Sequence, residues 1–306
     1  PSTKQSWLTQ IDTSTALRAL AIMLIAMSHL DVWKYGGGGA FCLFMIAGWS
    51  FSAFTLPTVL SSGRTAPIVM LALRIALLTL AWTTLNYLAT GWGQWPAFFF
   101  ISNWISPSIQ SGSWFIAVYL QILVLVTLAF ALAPVRRAFN FSHFGTAAGV
   151  AGMCVLLSAG ADALFDTEHL YRRLPHLMAW IFFCGLCAQA AKTHLQRGIA
   201  SAIFLLGCFQ LQYYTLTFGF FPLAGLVLIW LPALPMPYVL LKPLREIAGA
   251  SLVIYLTHFR FDGIVRHFNI DEPIVSWVTA IVGGVILWRL YEPVDILLRR
   301  RLKRWI

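Results

Sequence analysis

Two ionisable residues stand in the first apolar stretch of the chain, where their side chains could do chemistry. The stretch from Leu17 to Leu30 reads LRALAIMLIAMSHL and contains Arg18 and His29, eleven residues apart. On a helix this is a rise of roughly 16 Å, so both side chains would lie on one face at different depths. Ionisable groups cost about 2.5–3.5 kcal/mol or more at the centre of a membrane helix and usually face a protein interior or a wet cavity. An interfacial arginine with a structural histidine is the alternative interpretation.

The chemistry that this pair allows is proton handling by the imidazole. A neutral imidazole titrates close to working pH, so it can accept the proton of a hydroxyl or take part in acyl transfer. If the N-terminus is cytoplasmic, Arg18 enters at the inner surface and His29 lies roughly 20 Å along the first span. The histidine would then be in the outer half of the membrane.

The composition indicates a polytopic membrane protein. The chain has 306 residues, of which 59% are hydrophobic and 10% charged, and its mean hydropathy is +0.77. A spanning helix takes about 20 apolar residues, so we expect one all-α helix bundle with about ten transmembrane helices. The predicted spans lie near 16–33, 39–57, 67–90, 113–133, 144–161, 174–191, 198–214, 216–233, 246–261 and 273–292.

The distribution of basic residues predicts the topology. Most lysines and arginines fall in the segments that are inside if the N-terminus is inside, so we expect both termini in the cytoplasm of a bacterial plasma membrane. The first helix would stay as a signal anchor. The net charge of +10 comes from residues between apolar runs, which favours membrane lipid over nucleic acid as a partner. Five cysteines in apolar stretches predict free thiols.

Three further positions have both a functional and a structural interpretation. The uncharged outer segment 91–113 contains Trp104 and is typical either of an aromatic belt or of a floor for a carbohydrate or lipid head group. His258 would position an acceptor or cap a helix. Glu292 near the inner end of the last span predicts a structural ion pair with Arg18 or Arg289.

Several motifs follow one another in a fixed order. Arg18 and His29 have ten residues between them and precede GGGGAFCLFMIAGWSF; LALRIALL, GSWFIAVYLQ, GASLVIYLTHF and a final YEP follow. Together, over nearly the whole chain, they resemble the motifs of the membrane-bound acyltransferase-3 family. In chain order the motif residues are Arg18, His29, Arg74, Trp114, Ser251, Tyr255, Leu256, His258, Tyr291, Glu292 and Pro293. Two departures are Tyr119 and Gln121 where many members have a glutamate, and Ala47 in place of a serine.

The resemblance implies transfer of an acyl group, commonly acetyl from acetyl-CoA in the cytoplasm, to a hydroxyl of a cell-envelope carbohydrate or glycolipid. It identifies residues 1–306 as a single acyltransferase-3-like transmembrane domain. Catalysis is assigned to His29 with Arg18, and no metal is expected. Arginine forks suit phosphate, so binding of acyl-CoA is assigned to Arg18, Arg74 and Arg64. The acceptor is assigned to His258, Tyr255, Trp114, Tyr119 and Trp104, and structural roles to Glu292 and Ser251.

The main alternative is a transporter or flippase that moves a glycan, lipid or acyl compound without covalent chemistry. Such a protein would use the same intramembrane cations and histidine along a substrate path. Transporters frequently have paired halves with broken helices in matching positions, and no such symmetry is visible in the sequence. A purely structural membrane subunit would have no use for Arg18 and His29 at their depths.

Overall fold

The chain is mostly helical. The computed structural model describes residues 8–36, 38–91, 95–105, 114–165, 173–210 and 219–302. Its helices are α1 (Thr13–His29), α2 (Gly39–Ser50), α3 (Leu56–Ser62), α4 (Ala66–Thr90), α5 (Trp95–Phe98), α6 (Ser102–Ile105), α7 (Trp114–Ala131), α8 (Ala133–Phe141), α9 (His143–Leu164), α10 (Pro175–Ala190), α11 (His194–Phe209), α12 (Phe220–Trp230), α13 (Tyr238–Gly249), α14 (Ser251–His267) and α15 (Pro273–Leu302). Two short strands, β1 (Leu8–Asp12) and β2 (Ala233–Pro237), pair antiparallel.

Several helical segments are long and apolar enough to cross a membrane. Five such segments occur in the described part of the chain: Lys34–Ser62, Ala66–Thr90, Trp114–Ala131, His143–Ala161 and Pro273–Arg301. Four apolar helices are shorter, namely α1, α10, α11 and α12. The predicted all-helical class is therefore confirmed, and the count of about ten spans stays a prediction. All five cysteines are free thiols.

The last two predicted spans differ from the observed helices. The span predicted at 246–261 is interrupted, because α13 ends at Gly249 and α14 begins at Ser251. The last helix does not end before Pro293 but continues to Leu302. A proline inside a helix removes one backbone hydrogen-bond donor. Here the turn that follows Pro293 contains Asp295, which forms ion pairs with Arg74 and Arg299 that stabilise the helix.

The chain forms two compact units. The first comprises residues 1–46 and 211–291. Within it α1 packs against α12, α13 and α14, and the strand pair lies at the start of α1. Asp12 begins that helix, since its carboxylate accepts hydrogen bonds from the Thr15 backbone N–H (3.1 Å) and the Ser14 hydroxyl (2.6 Å). The chain then folds back along α1 so closely that an added Cβ at Gly36 would lie 2.1 Å from the Leu24 carbonyl oxygen.

The second unit comprises residues 47–210 and 292–306. Its core surrounds α10, where Trp180 and Phe182 are almost completely buried. The end of α2 approaches α10 without a side chain between them, because an added Cβ at Gly48 would lie 1.7 Å from the Phe182 carbonyl oxygen. A π-helical turn follows at Phe51–Thr55, next to Pro57. Proline cannot supply the usual backbone donor, and the widened turn is the local adjustment to its absence.

Candidate functional site

His29 is the last residue of α1 and its side chain lies at the surface of the first unit. The helix ends earlier than the predicted span, which extended to residue 33. Asp31 explains the difference, because its φ of 58° is left-handed and cannot continue a right-handed helix. Backbone N–H groups of Val32 and Trp33 both bond the Met27 carbonyl (3.0 and 3.2 Å) and close the helix end.

One polar partner of His29 is the second histidine that the sequence singled out. His29 Nδ1 lies 2.9 Å from His258 Nε2, which is hydrogen-bond distance. His258 is 1% exposed, in the middle of α14. The other ring nitrogen of His258, Nδ1, lies 2.8 Å from the Tyr255 carbonyl oxygen and 3.2 Å from that of Ile254. The fold thus brings together a predicted catalytic residue and a predicted acceptor-binding residue.

These contacts define the protonation of both neutral rings. A carbonyl oxygen only accepts hydrogen bonds, so His258 Nδ1 must carry the proton that it donates to α14. Its Nε2 then has only a lone pair and must accept, which requires His29 Nδ1 to be the donor. In the neutral pair, the basic nitrogen of His29 is therefore Nε2. This is the arrangement in which one group holds the tautomer and orientation of a second group that can act as a base.

The ring of Phe259 packs against both histidine rings. The ring of Phe259 lies 5.3 Å from that of His29 and is nearly parallel to it (13°), and it lies 4.2 Å from the ring of His258. Tyr255, predicted to bind the acceptor, is buried, with its ring 6.1 Å from that of His258. Trp277 on α15 fixes α1 from another side, because its indole N–H donates to the Met23 carbonyl at 3.1 Å.

The remaining predicted residues of the first unit lie on the same helices. Arg18 is partly exposed on α1, and Ser251 is the first residue of α14. Arg289, which the sequence offered as a partner for Glu292, forms an ion pair with Glu246. Glu292 itself belongs to the second unit, and its structural role stays a prediction.

Arg74 takes part in an ion-pair cluster of the second unit that the sequence did not predict. Its Nε and one terminal nitrogen each lie 3.0 Å from one carboxylate oxygen of Asp295. Arg299, one helical turn further, also bonds Asp295, at 2.8 and 2.5 Å. Asp295 is 3% exposed, so two cations surround one buried anion and the cluster keeps a net positive charge. Arg64, the other predicted phosphate ligand in this unit, lies exposed between α3 and α4.

The predicted aromatic residues of the second unit have different environments. Trp104 on α6 is 48% exposed, and its indole N–H donates to Gln121 Oε1 at 3.1 Å. Trp114 begins α7 and has the Arg173 guanidinium 4.8 Å from its ring centre. Tyr119 instead packs in the core, 9% exposed, between Phe115 and Phe182. The rest of segment 91–113 is described only in part, since 92–94 and 106–113 lie outside the described residues.

Sequence reasoning missed several contacts of these sites. Phe259 directly follows His258 and could have been found from that position alone. The i,i+4 spacing of Asp295 and Arg299 was a visible local signal for an ion pair. Asn103 lies in segment 91–113, which the sequence marked as a possible floor for a head group, but its pairing with Gln121 through both atoms of its carboxamide had no comparable local signal. Among the described residues, no group of three or more His, Cys, Asp or Glu side chains could hold a metal ion.

Comparison with known proteins identifies no relative of this chain. No protein-family model matches the chain, and no match occurs among curated proteins or solved structures. The resemblance to the acyltransferase-3 family consequently stays a prediction from motifs.

Proposed function

We propose that this chain is an integral membrane acyltransferase that moves an acyl group, most simply acetyl, from cytoplasmic acyl-CoA to a hydroxyl of a cell-envelope carbohydrate or glycolipid. The location that we propose is a bacterial plasma membrane with both termini in the cytoplasm. One observation carries the enzymatic part of the proposal: the hydrogen bond of 2.9 Å between His29 Nδ1 and His258 Nε2. It presents a surface-exposed imidazole in a single tautomer with Nε2 as its base.

In the proposed reaction His29 Nε2 takes the proton of the acceptor hydroxyl. The hydroxyl oxygen attacks the thioester carbonyl carbon, the carbon–sulfur bond breaks, and the thiolate of CoA receives the proton from His29. His258 would stabilise the imidazolium formed in between, because its Nε2 accepts the Nδ1–H bond. Acyl transfer to His29 Nε2 itself, followed by attack of the hydroxyl on the acyl-imidazole, uses the same nitrogen and the same tautomer.

The donor would be held by arginines. Arg18 lies on the same helix as His29, and Arg74 belongs to a cluster with net positive charge around Asp295. A guanidinium that is already oriented by a carboxylate loses less side-chain entropy when it binds phosphate. Within the second unit we assign the phosphates of CoA to Arg74, with Arg64 as an exposed second cation; for Arg18 of the first unit we keep the phosphate-binding role that the motif resemblance implies.

The acceptor would contact aromatic and imidazole side chains. We assign Trp104 and Trp114 to its carbohydrate part, since both rings are accessible at least in part. His258 and Tyr255 are buried and would act on the acceptor only through His29. Tyr119 would shape the site from within the core.

The test is transfer of radiolabelled acetyl from acetyl-CoA by protein in liposomes that contain a mixed glycan and glycolipid extract. Wild type is compared with His29→Ala and with His267→Ala, a matched control on the exposed end of α14. We expect label on an extractable acceptor with wild type and His267→Ala but not with His29→Ala. Equal labelling by all three would remove His29 from the mechanism. Absence of both labelling and CoA binding would favour the transporter.

A further inference from the structure

A closed hydrogen-bond network in the second unit fixes the short helices α5 and α6 against α7. Gln121 and Asn103 exchange hydrogen bonds through their carboxamides, at 3.1 and 2.9 Å. Gln121 Nε2 also donates to the Phe100 carbonyl at 2.6 Å, and its Oε1 accepts the indole N–H of Trp104 at 3.1 Å. Asn103 is completely buried. Buried amides are stable only when such a network is satisfied, so it determines where α6 lies.

The network orients one accessible aromatic ring. The indole N–H of Trp104 is committed to Gln121, which limits rotation of the side chain, while 48% of the residue stays exposed. The His176 ring lies 5.9 Å from that of Trp104 at an angle of 39°. A tryptophan that only served as a membrane-interface anchor would need no buried amide pair to hold its ring.

The same hydrogen-bond network includes the backbone of a cationic residue, Arg173. Asn103 Nδ2 donates to the backbone carbonyl of Arg173 at 3.0 Å, and the Arg173 guanidinium lies over the Trp114 ring. Stacking uses the face of a guanidinium, and the N–H donors of arginine lie in the plane of the group, the direction in which arginine binds carboxylate or phosphate.

We propose that Trp104, Trp114, Arg173 and His176 form a binding site for a saccharide that carries an anionic group, a carboxylate or a phosphate. The apolar face of a sugar ring stacks on Trp104, and Arg173 binds the anion. Gln121 is a positioning residue, because it holds Trp104 directly and Arg173 through Asn103. This inference rests on the proposed function in one respect, that the saccharide is the acyl acceptor.

Binding is measured without acyl-CoA, on protein in nanodiscs of neutral lipid. The probes are two glycolipids with the same lipid chain, one neutral and one with a carboxylate on its sugar, together with phosphatidylglycerol. We expect wild type to bind the anionic glycolipid on the order of tenfold more tightly than the neutral one, the effect of one charge-assisted contact. Arg173→Gln should abolish this preference, and Arg137→Gln, an exposed arginine of α8 in the same unit, should keep it.

A second pair of variants tests the aromatic part. Trp104→Phe removes the indole N–H and should weaken binding of both glycolipids several-fold, whereas Trp95→Phe, in the neighbouring helix α5 and against Phe99, should not. Equal affinities of wild type for the two glycolipids would overturn recognition of the anion. Phosphatidylglycerol binding as tightly as the anionic glycolipid would overturn recognition of a saccharide. Anion-selective binding by a protein that transfers no acetyl would instead contradict only the proposed function.

Discussion

Replacing His258 tests whether this residue orients His29. Only its Nε2 faces His29, whereas its Nδ1 faces the carbonyls of its own helix. Glutamine can place a carbonyl oxygen near the position of Nε2, and asparagine, one methylene shorter, reaches only the region of Nδ1. His258→Gln should therefore keep an acceptor for the Nδ1–H of His29, and His258→Asn and His258→Leu should remove it.

The size of the effect follows from what the hydrogen bond does. Without it, His29 loses both its fixed tautomer and its fixed ring orientation, while Nε2 itself is intact. Loss of the partner that orients a metal-bound histidine lowers activity about 10- to 100-fold, and by analogy we use the same factor here, which is about 1.4–2.7 kcal/mol in activation free energy. We expect His258→Leu and His258→Asn to lower kcat by this factor at nearly unchanged KM, and His258→Gln to recover most of the rate.

The assay is the initial rate of acetyl transfer in proteoliposomes over a range of acceptor concentrations, with thermal unfolding of each variant measured in parallel. Asparagine and glutamine variants of equal activity would refute the orienting role. A raised KM with unchanged kcat in His258→Leu would assign His258 to acceptor binding, as the sequence predicted. If a variant has a lowered unfolding temperature, its initial rate is compared with that of wild type at a temperature at which both are folded.

Three further predictions concern stability and are measured by reversible unfolding in mixed micelles. Asp295→Leu should lower the free energy of unfolding by about 1–2 kcal/mol, because it leaves the partly exposed cations of Arg74 and Arg299 without their carboxylate. Combining it with Arg74→Met should restore most of the loss, and an equally unstable double variant would contradict the ion-pair account. Gly48→Ala should lower the free energy of unfolding by about 1–3 kcal/mol, because the added methyl group overpacks the contact with α10. Gly149→Ala, with open space around its Cβ position, should raise it by about 0.5–1 kcal/mol. Effects of the same sign would refute the close approach of the helices. Trp277→Phe should cost about 1 kcal/mol for its lost hydrogen bond to α1, and an unchanged stability would show that this bond contributes nothing.

The positions of helices were largely predictable because hydropathy is a local property. Every predicted span overlaps at least one observed helix, and α4 at Ala66–Thr90 agrees with the predicted 67–90 almost residue for residue. The predicted helix ends were wrong where the local backbone conformation determined the end. The left-handed Asp31 ends α1, and Pro293, a residue that usually ends a helix, lies inside α15.

The candidate site was predictable in its residues but not in its contacts. Arg18, His29 and His258 were conspicuous because polar groups are costly in apolar helices. That His29 and His258 share a hydrogen bond could not be read from the chain, since 229 residues separate them. The ion pair of Arg74 could not be predicted for the same reason, because its carboxylate partner lies 221 residues away.

The sequence by itself determined the helical class, the apolar segments and the types of side chain available for acid–base and anion chemistry. These follow from composition and from the spacing of neighbours along one helix. Only the tertiary structure decided which nitrogen of His29 is basic, which carboxylate orients Arg74 and which amide holds Trp104. Hydrogen bonds act over about 3 Å, so each depends on how separate helices pack, and no pattern within one segment contains that information.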